Sequence, residues 1–241
     1  MDGVSRGFGL LLAAASTALV AACGSSKSAA PASPELPPLG PAATAAPVTV
    51  APITDADRLH DQLLTSTNLP PNFTMLPTRA EVPAGTQDSP TDPAECAKVL
   101  TPLSTQRPGS LAKASVQYSG PNFSSVDIDA ASFANDVVAP AFSEVQATLR
   151  RCTHYSGNDA TDIAVDYRVG GLTPPRAGDA ATAFQVRATS EGLTLYSSVA
   201  IVQVGSTLVQ VAVTAPEPVE DGVLGDLTAA QVRRLQGVPG P

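Results

Sequence analysis

Residues 193–213 read LTLYSSVAIVQVGSTLVQVAV, and this stretch decides the fold class. It is two β-rich runs, residues 193–204 and 208–213, separated by Gly205-Ser206. Two residues beginning with glycine suit the tight reversal of a β-hairpin. Upstream, Glu191-Gly192 marks another turn, and Phe184, Val186 and Ala188 alternate with Gln185 and Arg187. Ile163, Val165, Tyr167 and Val169 alternate in the same way. Alternation with period two is the signature of a strand with one buried face. The C-terminal third is therefore expected to be a meander of about four antiparallel strands. A short helix over residues 226–236 closes it, capped by Asp226 and ended by Gly237.

Working outward, residues 112–118 and 123–130 also look like strands. In the second, Val126, Ile128 and Ala130 alternate with Asp127 and Asp129, the pattern of a half-solvated strand. Between the two β regions lies the longest helical pattern, residues 132–152, with Pro140 expected to divide or kink it. Arg150 and Arg151 fall in its last turn, where cations complement the helix dipole. Thr54 or Asp55 can cap a short helix to about Leu64, stopped by Leu69-Pro70-Pro71. Asp92-Pro93-Ala94-Glu95 opens another helix, which carries Cys96. These elements define an α+β domain: an antiparallel sheet of about five to six strands with helices packed on it. The domain is expected to occupy residues 53–241.

What precedes it is of a different kind. Residues 7–22, GFGLLLAAASTALVAA, are apolar and uncharged. Sixteen residues are too few to span a bilayer as a helix and fit the apolar region of an export signal. The run ends in Val20-Ala21-Ala22-Cys23, which resembles a lipobox: an aliphatic residue, two small residues, then the cysteine that is acylated. Cleavage between Ala22 and Cys23 and lipidation of Cys23 (diacylglycerol, with palmitate-type chains) are what that resemblance implies. Two or more acyl chains on one residue would anchor the protein stably to the cell membrane on its extracytoplasmic face. Residues 24–52 are rich in Pro, Ala, Ser and Thr, a composition of an extended spacer expected to hold the domain off the lipid surface.

Export frames the remaining cysteines. In an oxidising compartment Cys96 and Cys152 are expected to pair. The alternatives are a buried pair of thiols or a metal site. A metal site would want four sulfur or imidazole ligands, and His60 and His154 lack finger-like spacing to the cysteines. No cofactor and no metal are expected. The net charge of −8 disfavours phosphate backbones, so no nucleic-acid partner is expected.

Residues 63–73, LLTSTNLPPNF, resemble the LLT-x-x-x-LP-x-x-F opening of many actinobacterial exported lipoproteins of unknown function. That lineage includes the extracellular sensor domain of some mycobacterial membrane Ser/Thr kinases. The order that follows also fits: a helix bearing Cys96, a helix ending in Cys152, and a VG-x-T-x-V hairpin at residues 204–209. The resemblance implies an extracytoplasmic, sensor-like α+β domain with a helix–helix disulfide and a ligand cleft. The kinase domains carry a second disulfide for which this chain has no cysteines.

No catalytic residues are expected, since no G-x-S-x-G nucleophile elbow occurs in residues 53–241; Gly3-Val4-Ser5-Arg6-Gly7 fits the spacing but belongs to the export signal. Arg168 and Arg187 lie on strands and would grip an anionic ligand if their strands pair in register. His154 and Tyr155 follow the Cys152 helix and would either line a ligand groove or, the favoured expectation, form a surface turn. The leading expectation is a non-enzymatic binding or sensor-like lipoprotein with a small-molecule, lipid or envelope-protein ligand. The alternatives are an envelope hydrolase using Asp127 or Asp129 with His154, and a structural or antigenic surface protein.

Overall fold

The computed structural model describes residues 35–77, 90–159, 161–220 and 222–238. The export segment and Cys23 lie outside these residues. The elements run α1 (Ala56–Asp61), β1 (Thr74–Met75), β2 (Thr91–Asp92), a 3-10 helix (Ala94–Leu100), α2 (Leu103–Gln106), β3 (Ala112–Ser119), β4 (Ser125–Ser132), α3 (Val138–Arg151), β5 (His154–Asn158), β6 (Ala164–Gly171), β7 (Ala180–Ser190), β8 (Leu193–Val204), β9 (Thr207–Ala215) and α4 (Val223–Leu235).

The strands form one antiparallel sheet in the order β1-β3-β4-β9-β8-β7-β6-β5-β2. The expected meander is β6 to β9, and both of its expected turns are present. Glu191 and Gly192 each take a positive φ, +49° and +83°, as a two-residue hairpin of that hand requires. Gly205 takes φ +57° between the paired residues Val204 and Thr207. The sheet has nine strands among the described residues rather than five to six. β1 and β2 are two residues each, too short to show a period. β5 reads His-Tyr-Ser-Gly-Asn, a turn-like composition that tertiary pairing with β6 overrides.

β8 and β9 are central, and residues 199–203 and 207–213 are buried on both faces, which explains the near-continuous apolar sequence there. On one face α1 and α4 lay Leu59, Leu63, Leu224, Leu227 and Val232 on Ile128, Val202, Val209 and Val211. On the other, α3, α2 and the 3-10 helix lay Phe142, Val145, Leu149, Val99 and Leu103 on Phe184, Val186, Val199, Ile201 and Leu208. The result is three layers with a core on each side of the sheet.

Helix starts differ from the sequence reading in informative ways. Asp55 caps α1 as expected, its Oδ1 accepting the N–H of Asp57 and of Arg58. α3 begins at Val138, not Ser132, because β4 claims residues to Ser132. Pro140 thus falls in the first turn, where a proline displaces no intrahelical hydrogen bond and no kink follows. α4 is capped by Gly222, with Asp226 in its first turn, and Gly237 (φ +71°) follows its end. The Cys96–Cys152 disulfide is present, with Cα atoms 5.5 Å apart, joining the 3-10 helix to the C-terminal cap of α3.

Of the Pro/Ala-rich stretch, residues 36–52 form no helix or strand, as their composition dictates, and lie on the domain. Leu39, Ala43, Ala45 and Val48 pack against the α3-side core. Gly171 donates its N–H to Pro37 O at 2.8 Å. Arg150 Nη2 donates to Gly40 O at 2.8 Å. Gln146 Oε1 accepts the Ala43 N–H and its Nε2 donates to Ala43 O, at 2.8 and 2.9 Å. Gln203 makes the same two bonds to Ala46. The Ile53 N–H reaches Ser132 Oγ. A proline-rich chain forms no ladder of its own, so these side chains satisfy its backbone. Residues 36–53 are therefore a strap, and the folded unit begins at Leu36 instead of near Thr54.

Candidate functional site

Register brings three of the four sequence-predicted binding residues together. His154 pairs with Arg168 across β5 and β6, and Arg168 with Arg187 across β6 and β7. The row continues to Tyr196 on β8, over whose ring the Arg187 guanidinium sits at 5.7 Å. Because neighbours alternate, Val169 and Val186 face the α3-side core while Arg168 and Arg187 face the opposite way. Asp166 organises one end of the row. Its Oδ2 lies 2.7 Å from His154 Nε2 and its Oδ1 accepts from Arg168 Nε at 2.9 Å. Partial burial pushes the Asp166 carboxyl up, but the bonds from His154 and Arg168 outweigh it and hold it below the usual range. The row runs from exposed His154 and Arg168 near the sheet edge to half-buried Arg187 and Tyr196 toward its centre, and its two guanidinium groups suit a bound anion.

Tyr155 does not join it. One residue along β5, it points to the α3 side, is buried, and stacks on Tyr167 with ring centroids 4.7 Å apart. Burial raises its phenol well above the ordinary value. Its part is packing. The expected turn at His154-Tyr155 is a strand.

Asp127 and Asp129 do not form a solvated pair. Asp129 is 8% exposed and accepts the Leu103 N–H at the start of α2 at 2.6 Å. Gln106 Nε2 donates to Gln210 Oε1 under the same helix, and Gln210 pairs with Asp129 across β4 and β9. Desolvation pushes Asp129 up to about 7 despite the Leu103 bond. Asp127, hydrogen-bonded by Ser125 Oγ, is raised for the same reason. β5 lies five strand positions from β4, and His154 is on the opposite face. The Asp–His arrangement of the hydrolase alternative is not assembled.

A second feature has no counterpart in the sequence reading. Where the strap meets the β8–β9 turn, a cavity of about 370 Å³ opens. Val50, Ala51 and Ile53 of the strap form one wall, with Val204–Thr207 of the turn opposite and Arg58, Gln62, Leu235 and Gln236 of the two helix ends completing it. Asp179 enters from the loop before β7, its Oδ2 accepting the Gly205 N–H at 2.6 Å. Asp166 was findable from sequence, being two positions from Arg168 on an alternating strand. The cavity was not, because its walls come from five separated segments.

An α+β sandwich of helix, single antiparallel sheet and helix, stapled once and strapped on one face, is the kind of protein these features define. The extracellular domain of PknH from Mycobacterium tuberculosis shares the fold, with a TM-score of 0.58 at 15% identity, covering 78% of this chain and 98% of that one. An uncharacterized protein of Mycobacterium smegmatis, an Rv0999 ortholog, aligns over 69% of this chain and 92% of its own at 15% identity, but with a TM-score of 0.35 carries no weight. No family model and no curated protein matches the chain. The α+β fold implied by the resemblance at residues 63–73 is thus the fold found. Among the described residues no helix is long and apolar enough to cross a membrane.

Proposed function

We propose that this chain is a lipid-anchored protein of the extracytoplasmic face that acts by binding an anionic ligand rather than by catalysis. The carrying observation is the His154–Arg168–Arg187 row, which brings two guanidinium groups and an imidazole side by side on paired strands. The likeness to an extracellular domain supports the compartment, and the lipobox-like Val20-Ala21-Ala22-Cys23 supports the anchor. A sensor-like role fits a domain whose strongest constellation recognises charge and offers no nucleophile.

Two measurements test this reading. The full chain expressed in an actinobacterial host should partition into the detergent phase of Triton X-114, and a Cys23→Ala chain should not. In isothermal titration, inorganic phosphate and citrate should bind the wild type and lose binding in Arg168→Ala/Arg187→Ala. Equal partitioning of the Cys23 variant overturns the anchor, and equal anion binding by the double variant overturns the site.

A further inference from the structure

We infer that the cavity at the end of the strap is a second binding site, for a small zwitterion with an apolar body such as a free apolar amino acid. Its volume of about 370 Å³ lies in the range of small-molecule sites, which begin at about 300 Å³. The lining is divided by chemistry. Val50, Ile53, Val204 and Leu235 supply apolar surface. Two acceptors stand among them. Asp179 spends Oδ2 on the Gly205 N–H and is exposed on the cavity wall. Gln62 Oε1 is shielded from solvent and has no hydrogen-bond partner among the described residues. A shielded acceptor without a donor is costly, and a ligand ammonium would supply the Gln62 oxygen with a donor and the Asp179 carboxylate with a counter-charge. The C-terminal end of α4, at Leu235 and Gln236, adds the negative pole of a thirteen-residue helix. Arg58 is the cation of the wall, placed to take a carboxylate.

The strap forms one wall, so a bound ligand is held partly by the segment that leads back toward the N-terminus. Occupancy must then favour the docked strap by simple linkage. The cavity and the cationic row share no residue, so this site stands or falls independently of the anion-binding reading.

The test is an NMR titration of the full chain with L-leucine, with hexylamine and hexanoate as probes that each lack one charge. Saturable shifts at the Gly205 and Gln62 amides are expected, with about tenfold weaker binding of hexylamine and hexanoate. Asp179→Asn, which keeps an acceptor for Gly205, Gln62→Leu and Arg58→Gln should each weaken leucine to a similar degree. Arg168→Ala should leave it unchanged. Hydrogen exchange at the Ala43 and Ala46 amides should slow when leucine is bound. No saturable shift, hexanoate binding as well as leucine, or unchanged leucine binding in all three cavity variants overturns the site. Loss of leucine binding in Arg168→Ala assigns it to the cationic row and overturns the proposal equally.

Discussion

Gln203 holds Ala46 by both polar groups of its backbone: the side-chain Oε1 accepts the Ala46 N–H at 2.8 Å while Nε2 donates to the Ala46 carbonyl at 2.9 Å. Gln203 lies on the longest strand and is completely buried, 157 positions along the chain from its partner. Gln146 repeats the grip on Ala43, and Gln231 makes a third on the Leu64 N–H and Gln62 carbonyl. A primary amide sets a carbonyl acceptor beside an N–H donor, which matches the N–H and carbonyl of one residue, and the amide nitrogen also donates to Gly205 O from Gln203 and to Phe142 O from Gln146.

Gln203→Leu should therefore destabilise the fold by about 1–3 kcal/mol, because the Ala46 N–H and carbonyl lose their partners. Urea unfolding measures the loss. Hydrogen exchange at Ala46 should rise by more than the global change, since the strap loosens first.

Gly171→Ala should release the same strap from its other end. A Cβ at Gly171 would collide with the Pro38 carbonyl, and backbone cannot swing aside as a side-chain tip can. Limited proteolysis should cut between residues 36 and 50 in this variant and spare the wild type, while the far-ultraviolet circular dichroism stays unchanged.

Asp129 sets a pH dependence with an unusual sign. Its folded value of about 7 exceeds the ~3.9 of an unfolded aspartate. The folded state therefore holds the proton more tightly, and this group's contribution is greatest below pH 4. Stability falls as pH rises from 4 to 7, by up to ~4 kcal/mol from this residue alone. Asp129→Asn keeps an oxygen for the Leu103 N–H. It should flatten the slope, leave stability near the wild type at pH 4 and raise it at pH 8. Urea midpoints at pH 4, 6 and 8 decide it.

Cys96→Ala/Cys152→Ala should cost ~4 kcal/mol, the loop-closure value for a bridge between positions 56 residues apart. The 3-10 helix should lose hydrogen-exchange protection before α3 does, because α3 retains Phe142, Val145 and Leu149 in the core.

Much of the architecture was readable from local chemistry. The Glu191-Gly192 and Gly205-Ser206 turns announce β7, β8 and β9 because positive φ values demand such residues. Asp55 announces α1 because a carboxylate satisfies orphan N–H groups. Other features depend on partners distant in the chain. Asp129 alternates like a solvent-facing residue, yet α2 covers it. Tyr155 sits beside His154 in sequence and on the other face in space. Arg168 and Arg187 could be paired only once the register of β6 and β7 was known. The strap reads as a spacer because its docking sites, Gln146 and Gln203, lie more than a hundred residues away.

The strap also fixes a height. With the anchor proposed at Cys23 and docking beginning at Leu36, the leash is the twelve residues between those positions, not the thirty before Thr54. Fully drawn out, such a leash reaches about 45 Å, against roughly 100 Å for the longer one. A domain so anchored would be confined to a shallow layer next to the bilayer. Unbuckling the strap at Gln146 and Gln203 would more than double the depth of envelope it can search.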